Sequence, residues 1–134
     1  MGTSSVDIWD NDDAADWIVD LLDTDDLGVL RDSLQPAEVE GRYLEAPEGA
    51  RILCAADTVR AALHSGQSTV PGEVLEWVRN HASLDFRSLV PEALAKTRRV
   101  LANQSEVREL WEENQELFPA WISQVEALIA SLGS

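Results

Sequence analysis

The chain has one cysteine, one methionine and one tyrosine, and it sets only ten basic side chains against 25 acidic ones. A lone cysteine, Cys54, excludes an internal disulfide and makes a reducing cytoplasm the expected compartment. No apolar run approaches the roughly eighteen residues that a membrane span requires, so no membrane role is expected. No base precedes Arg31, which argues against a secretory leader or a basic presequence. The shortage of bases also argues against direct nucleic-acid binding. A formal charge of −15 and a pI near 4.2 leave little cationic surface to displace counterions from phosphates. There is no glycine-rich phosphate loop, no paired CxxC and no HExxH helix. Period-two alternation never runs beyond a few residues, which removes sheet architectures.

What is present is enough for one core. The 134 residues suffice for a single domain and are too few for two. Hydrophobic residues make up 45% and include five tryptophans, a content that a disordered acidic tail lacks. Charge is uneven: residues 1–50 carry −12, residues 51–105 carry +2 with Lys96, Arg98 and Arg99 close together, and residues 106–134 carry −5. Docking the acidic ends on the mildly basic middle offsets only a little of that total. Most of it faces solvent or a cationic partner.

Helical spacing runs along almost the whole chain. Asp10-Asn11-Asp12-Asp13 supplies N-cap candidates, and Ala14, Trp17, Ile18, Leu21 and Leu22 form a stripe, predicting a helix over about 12–23. A shorter helix capped by Thr24 or Asp25 carries Leu27, Leu30 and Leu34 and stops at Pro36. Residues 35–49, with two prolines and two glycines, read as the longest internal connection, pinned by Tyr43 and Leu44. From Pro47 onward, Ile52, Ala55, Ala56, Val59, Ala62 and Leu63 make a stripe whose alanines admit a neighbouring helix closely. A polar loop at 65–69 follows, and Pro71 then opens a helix with Val74, Leu75 and Val78 inward. The next regular helix begins near Val90, with Pro91 in its first turn. Ser105 starts one lined by Val107, Leu110, Trp111 and Phe118, and the last helix keeps Trp121, Val125, Leu128 and Leu132 in register to Gly133. The expected fold class is all-α: a single-domain bundle of about six or seven helices over 1–134, with an irregular segment at 1–9.

The strongest oddity is the first helix. Asp12, Asp13, Asp16, Asp20 and Asp23 share the side opposite Trp17 and Ile18. Like charges four apart destabilise a helix by roughly 0.2–0.5 kcal/mol per pair. The helix dipole compensates Asp12 and Asp13 but not Asp20 and Asp23, so this side is either solvated or meets cations. A calcium loop fails: counted from Asp23, its fifth and twelfth positions are Leu27 and Leu34, and counted from Asp10 its sixth is Ala15. Cys54, beside its stripe, reads as inert packing. His64 lies ten residues further on, about 280° around the helix. His81 falls near a helix end. Trp17, Trp111 and Trp121 lie on apolar stripes and read as core. Trp77, between Val74 and Val78, is expected half-exposed, and Trp9 is placed to staple the first helix. An exposed tryptophan beside an acidic face would anchor an interface.

Three stretches resemble a known family. Met1-Gly2-Thr3 and the segment Trp9-Asp10-Asn11-Asp12-Asp13-Ala14-Ala15-Asp16-Trp17 are similar to the opening of the bacterial domain of unknown function 4259 family. So are the alanine-rich segment from Ala50 to Leu63 and the run Ser105-Glu106-Val107-Arg108-Glu109-Leu110-Trp111-Glu112-Glu113 followed by Trp121. Ser4 and Ser5 stand where the family pattern has a Trp-Gly pair, and Asp7 stands where another glycine is common. The resemblance implies a small bacterial cytosolic protein and brings no established reaction, cofactor or catalytic residue.

These readings lead to a non-catalytic protein-interaction module. It is expected to bind a basic partner through Asp12, Asp13, Asp16, Asp20 and Asp23, with Trp9 and Trp77 as anchors, in the manner of an immunity protein or antitoxin. No catalytic residue, cofactor or metal ligand is assigned. Two alternatives stand beside it: a small metal-dependent hydrolase using clustered acids with His64 or His81, and a homodimeric structural module built on Trp77 or Trp9. The sequence leaves the oligomeric state open.

Overall fold

Residues 7–35 and 43–133 are described by the structure, a computed structural model of the chain. Among them lie seven α-helices: α1 (Asp12–Leu22), α2 (Gly28–Leu34), α3 (Ala46–Leu63), α4 (Gly72–Asn80), α5 (Val90–Leu101), α6 (Glu106–Glu112) and α7 (Phe118–Leu132). Short 3-10 turns occupy Ser65–Gln67 and Phe86–Leu89. The described residues form no strand, only an isolated parallel bridge between Leu44 and Ser105. The all-α bundle that the periodicity predicts is the observed architecture, and no helix among the described residues is long and apolar enough to cross a membrane.

Helix α3 is the axle. It packs against each of the other helices, α1, α2, α4, α5, α6 and α7. Its sequence allows this because alanines at 50, 55, 56 and 61 keep it slim on several sides. Every residue from Ile52 to Ala61 is consequently buried. A helix enclosed all round has no polar side to turn to water, so Asp57, Thr58 and Arg60 must find partners within the protein.

The start of α3 is fixed locally. Glu45 and Glu48 form a capping box, with Glu48 Oε1 accepting from the Glu45 amide at 3.3 Å, and Pro47 sits in the first turn. The helix begins at Ala46, so the connection expected over 35–49 ends sooner than its composition suggests. Its residues 36–42 lie outside the described ones, as do residues 1–6 of the segment expected to be irregular at 1–9. The Leu44 amide donates to the Gln104 carbonyl at 2.8 Å, and the Glu106 amide donates to the Leu44 carbonyl at 2.9 Å. The Ala46 amide also donates to Glu106 Oε1 at 2.7 Å, which ties the entrance of α3 to that of α6. Close by, a Cβ on Gly49 would stand 2.7 Å from Val107 Cγ2, so only glycine lets α6 approach this near.

Several local expectations are corrected. The Gly28 amide donates to Asp26 Oδ1 at 2.8 Å, so neither Thr24 nor Asp25 caps α2. Phe118 opens α7 instead of lining α6, which stops at Glu112. Leu22 and Leu110, both read as inward, are 44% and 53% exposed.

Candidate functional site

Helix α1 carries the predicted site residues. Asn11 caps it, its side-chain oxygen accepting from the Ala14 amide at 2.8 Å, and Asp12 and Asp13 fill the first turn, where the helix dipole favours anions. Ala14, Trp17 and Leu21 are buried against the core. Asp12, Asp16, Asp20 and Asp23 are exposed, and Asp13 is half-buried. Their chain spacing puts them in one arc, yet the fold divides them between two concavities. Asp16, Asp20 and Asp23 meet Asp32 of α2 around an open groove, with Trp17 and Val29 also lining it and Arg51 as the one base among the described residues of its wall. Asp13 belongs instead to a cleft shared with Asp7 and Asp10. The sequence reading missed Val19, which is 67% exposed and borders a shallow hollow with Asp20, Leu22 and Asp23. Its signal was its angular position on the helix, outside the stripe of Ala14, Trp17 and Leu21.

The two tryptophans proposed as anchors are structural. Trp9 is 8% exposed, donates from Nε1 to Asp57 Oδ2 at 2.8 Å, and lies 5.7 Å from the Trp17 ring. Trp77, expected half-exposed, is 4% exposed. It donates to the Thr24 carbonyl at 2.9 Å and sits between His81, stacked at 4.4 Å, and the edge of Phe86. Neither indole is free to meet a partner.

Asp57 is the polar centre that sequence reasoning passed over. It is fully buried and accepts five hydrogen bonds: from Trp9 Nε1, Arg60 Nε (2.9 Å), Ser68 Oγ (3.2 Å), Thr69 Oγ1 (2.8 Å) and the Thr69 amide (3.3 Å). The clue was an acid amid alanines on a segment with no polar side. Enclosed and saturated with donors, it holds the 7–10 turn and the 68–69 segment onto α3.

The nucleophile and the histidines stay apart. Cys54 is buried with its Sγ 3.9 Å from the Ile8 carbonyl, and burial first, then the carboxylates of Asp57, Asp13 and Asp7, push its thiol far above the usual range. His64 caps the far end of α3, about 15 Å along the axis from Cys54 at 1.5 Å per residue. His81 caps α4, with Nδ1 2.7 Å from the Trp77 carbonyl and Nε2 3.2 Å from Asp25 Oδ1. The Trp77 carbonyl raises its pKa most; desolvation opposes this, and the hydrogen bond and charge of Asp25 add to the rise. Among the described residues, no three or more His, Cys, Asp or Glu side chains are grouped to hold a metal ion.

A second concavity lies between the 7–13 turn and the helices α3, α6 and α7. It encloses about 190 Å³. Leu53, Val107, Leu110, Trp111 and Trp121 are among its lining residues, together with Asp7, Asp10 and Asp13. The two indoles lie 6.4 Å apart and nearly parallel, at 15°.

Fold and site together define a small acidic helical domain whose distinctive features are carboxylate-edged concavities on either side of its first helix. The chain belongs to the domain of unknown function 4259 family, whose model matches residues 2–124. No curated protein and no solved structure matches it.

Proposed function

We propose that the protein is a non-catalytic interaction module whose outward α1 face receives a basic protein partner. The observation that carries this reading is the pair Val19 and Leu22, 67% and 44% exposed among Asp16, Asp20 and Asp23. A face kept only for solubility needs carboxylates alone. Apolar side chains held in water forgo about 25 cal/mol for each Å² that a partner would cover, and an apolar patch rimmed by charge is the usual composition of an interface. The adjoining groove suits a lysine or arginine of that partner. Trp17 and Val29 accommodate the aliphatic stem, and Asp16, Asp20, Asp23 and Asp32 meet the charged head. Fixed carboxylates of this kind steer association with a cationic groove, the chemistry an immunity protein or antitoxin would use against a basic enzyme.

The test is a comparative pull-down from source-cell lysate at low and high salt. Baits are the wild type, D13N/D16N/D20N/D23N and V19S/L22S. A basic protein held by the wild type at low salt, released by high salt and lost by both variants supports the reading. Equal recovery by all three baits, or no recovery by any, makes the face solvent-directed and overturns it.

A further inference from the structure

The geometry points to a second binding site, independent of the α1 groove: the cleft between the 7–13 turn, α3, α6 and α7 takes a small neutral compound that carries a hydrogen-bond acceptor on an apolar body. Three tryptophans satisfy their indole N–H inside the protein: Trp9 donates to Asp57, Trp17 to Ser33 and Trp77 to the Thr24 carbonyl. Trp121 does not. It is 1% exposed and lines the cleft, yet its N–H has no acceptor among the described residues. Thr97 Oγ1 is the one side-chain polar atom among those residues that is both sealed from solvent and unpartnered. The Trp121 N–H therefore still opens on accessible space, and the space its ring borders is this cleft. A donor held among carbon walls without an acceptor carries a free-energy cost that a bound acceptor removes. The ring is also fixed in direction, nearly parallel to Trp111 and Phe118 with centroids 6.4 and 6.2 Å away, so the donor is pre-organised.

Size and lining narrow the ligand. The cleft encloses about 190 Å³, and apolar cavities of about 150 Å³ take up a single ring such as benzene. Ile8, Ala50, Leu53 and Val107 give carbon surface for the apolar body. An ammonium is excluded by the N–H, since it brings donors and no acceptor. An anion is disfavoured by Asp7, Asp10 and Asp13 on the same wall. These carboxylates are not themselves ligand-binding groups; Asp7 already accepts the Trp9 amide at 3.0 Å. What satisfies both the donor and the carbon wall is a neutral carbonyl compound of about one ring, its oxygen on Trp121 Nε1.

The test titrates cyclohexanone, cyclohexylammonium and cyclohexanecarboxylate, one ring with three head-group charges, at constant ionic strength. The readout is the tryptophan indole N–H signals in a ¹H–¹⁵N spectrum, assigned by the NOE contacts of each ring. The expected result is a saturable downfield shift of the Trp121 proton with cyclohexanone, and an affinity at least about threefold weaker for either ion. A46L fills the cleft and abolishes the response, with an unmoved Trp77 signal marking an intact fold. Should A46L disturb Trp77, L110S serves in its place: it removes part of the wall at a position 53% exposed and weakens binding at least about threefold. The site is overturned by the absence of a saturable shift, by equal affinity for either ion, by a response of Trp111 without Trp121, or by unchanged binding in the folded cleft variant.

Discussion

Two aspartates in adjacent helices mark the two regions of this molecule. Asp57, in the middle of α3, has no exposed surface and five donors directed at its carboxylate. Asp20, on α1, is exposed and neighbours Asp16 and Asp23, with Arg51 as the one base among the described residues of their groove. Both are ordinary carboxylates on helices, and their chemistry differs because one helix is enclosed and the other is not. Inside, the charge is tolerable only as the hub of a saturated network, and it makes structure. Outside, the same group is stable alone in water and remains available to a partner. Counting acids therefore says nothing of where recognition lies in this chain; burial and donor supply do.

Substitutions can break that contrast, beginning with its buried half. Asp57→Ala leaves the Trp9 indole, the Arg60 guanidinium and the Thr69 hydroxyl without their acceptor, and should destabilise the fold by about 3–5 kcal/mol in urea unfolding. Trp9→Phe keeps the ring and deletes one donor; a loss of about 1–3 kcal/mol is expected, and a loss near zero would mean the indole N–H is dispensable to the hub. On the outer face the sign reverses. D16N/D20N/D23N should leave the urea midpoint unchanged or raise it slightly at low salt, since each relieved i,i+4 pair returns roughly 0.2–0.5 kcal/mol, and the gain should vanish at high salt. The smallest effect is a pH slope from His81, whose partner Asp25 is fully exposed. Its folded pKa lies above the ordinary 6.5. The stabilisation is thus complete below about pH 6.5 and is lost as pH rises through the folded value, the behaviour of a group that binds its proton more tightly when folded. His81→Gln should flatten that part of the stability–pH curve without moving the rest.

The helices were legible because their stripes are regular: Ala14, Trp17 and Leu21 in α1, and Trp121, Val125, Leu128 and Leu132 in α7, are buried as their spacing requires. Starts and stops were less legible, since they rest on particular contacts such as Asp26 on the Gly28 amide, which a list of capping residues does not rank. The centrality of α3 was only hinted at by its alanines, because a helix buried on all sides leaves no period to detect. Among the candidate residues, the exposed positions of Asp16, Asp20 and Asp23 follow directly from the helical repeat. The burial of Trp9 and Trp77 was illegible for a different reason. Whether an indole N–H meets a partner of its own chain depends on residues 48 and 53 positions away, Asp57 and Thr24. Both concavities are likewise made by elements distant in sequence, and no local pattern announces them.

The donors around Asp57 also impose an order on assembly. Arg60 lies on the same helix, three residues ahead, so a newly made α3 carries a counter-ion for its acid from the moment it coils. Ser68 and Thr69 reach the carboxylate once the chain has grown a few residues further. Trp9 emerges long before its acceptor exists and must return from the front of the chain to close the network. The turn around Trp9 thus settles only after 48 further residues have been added. A nascent chain that stalls before residue 57 holds that turn without the acceptor that fixes it.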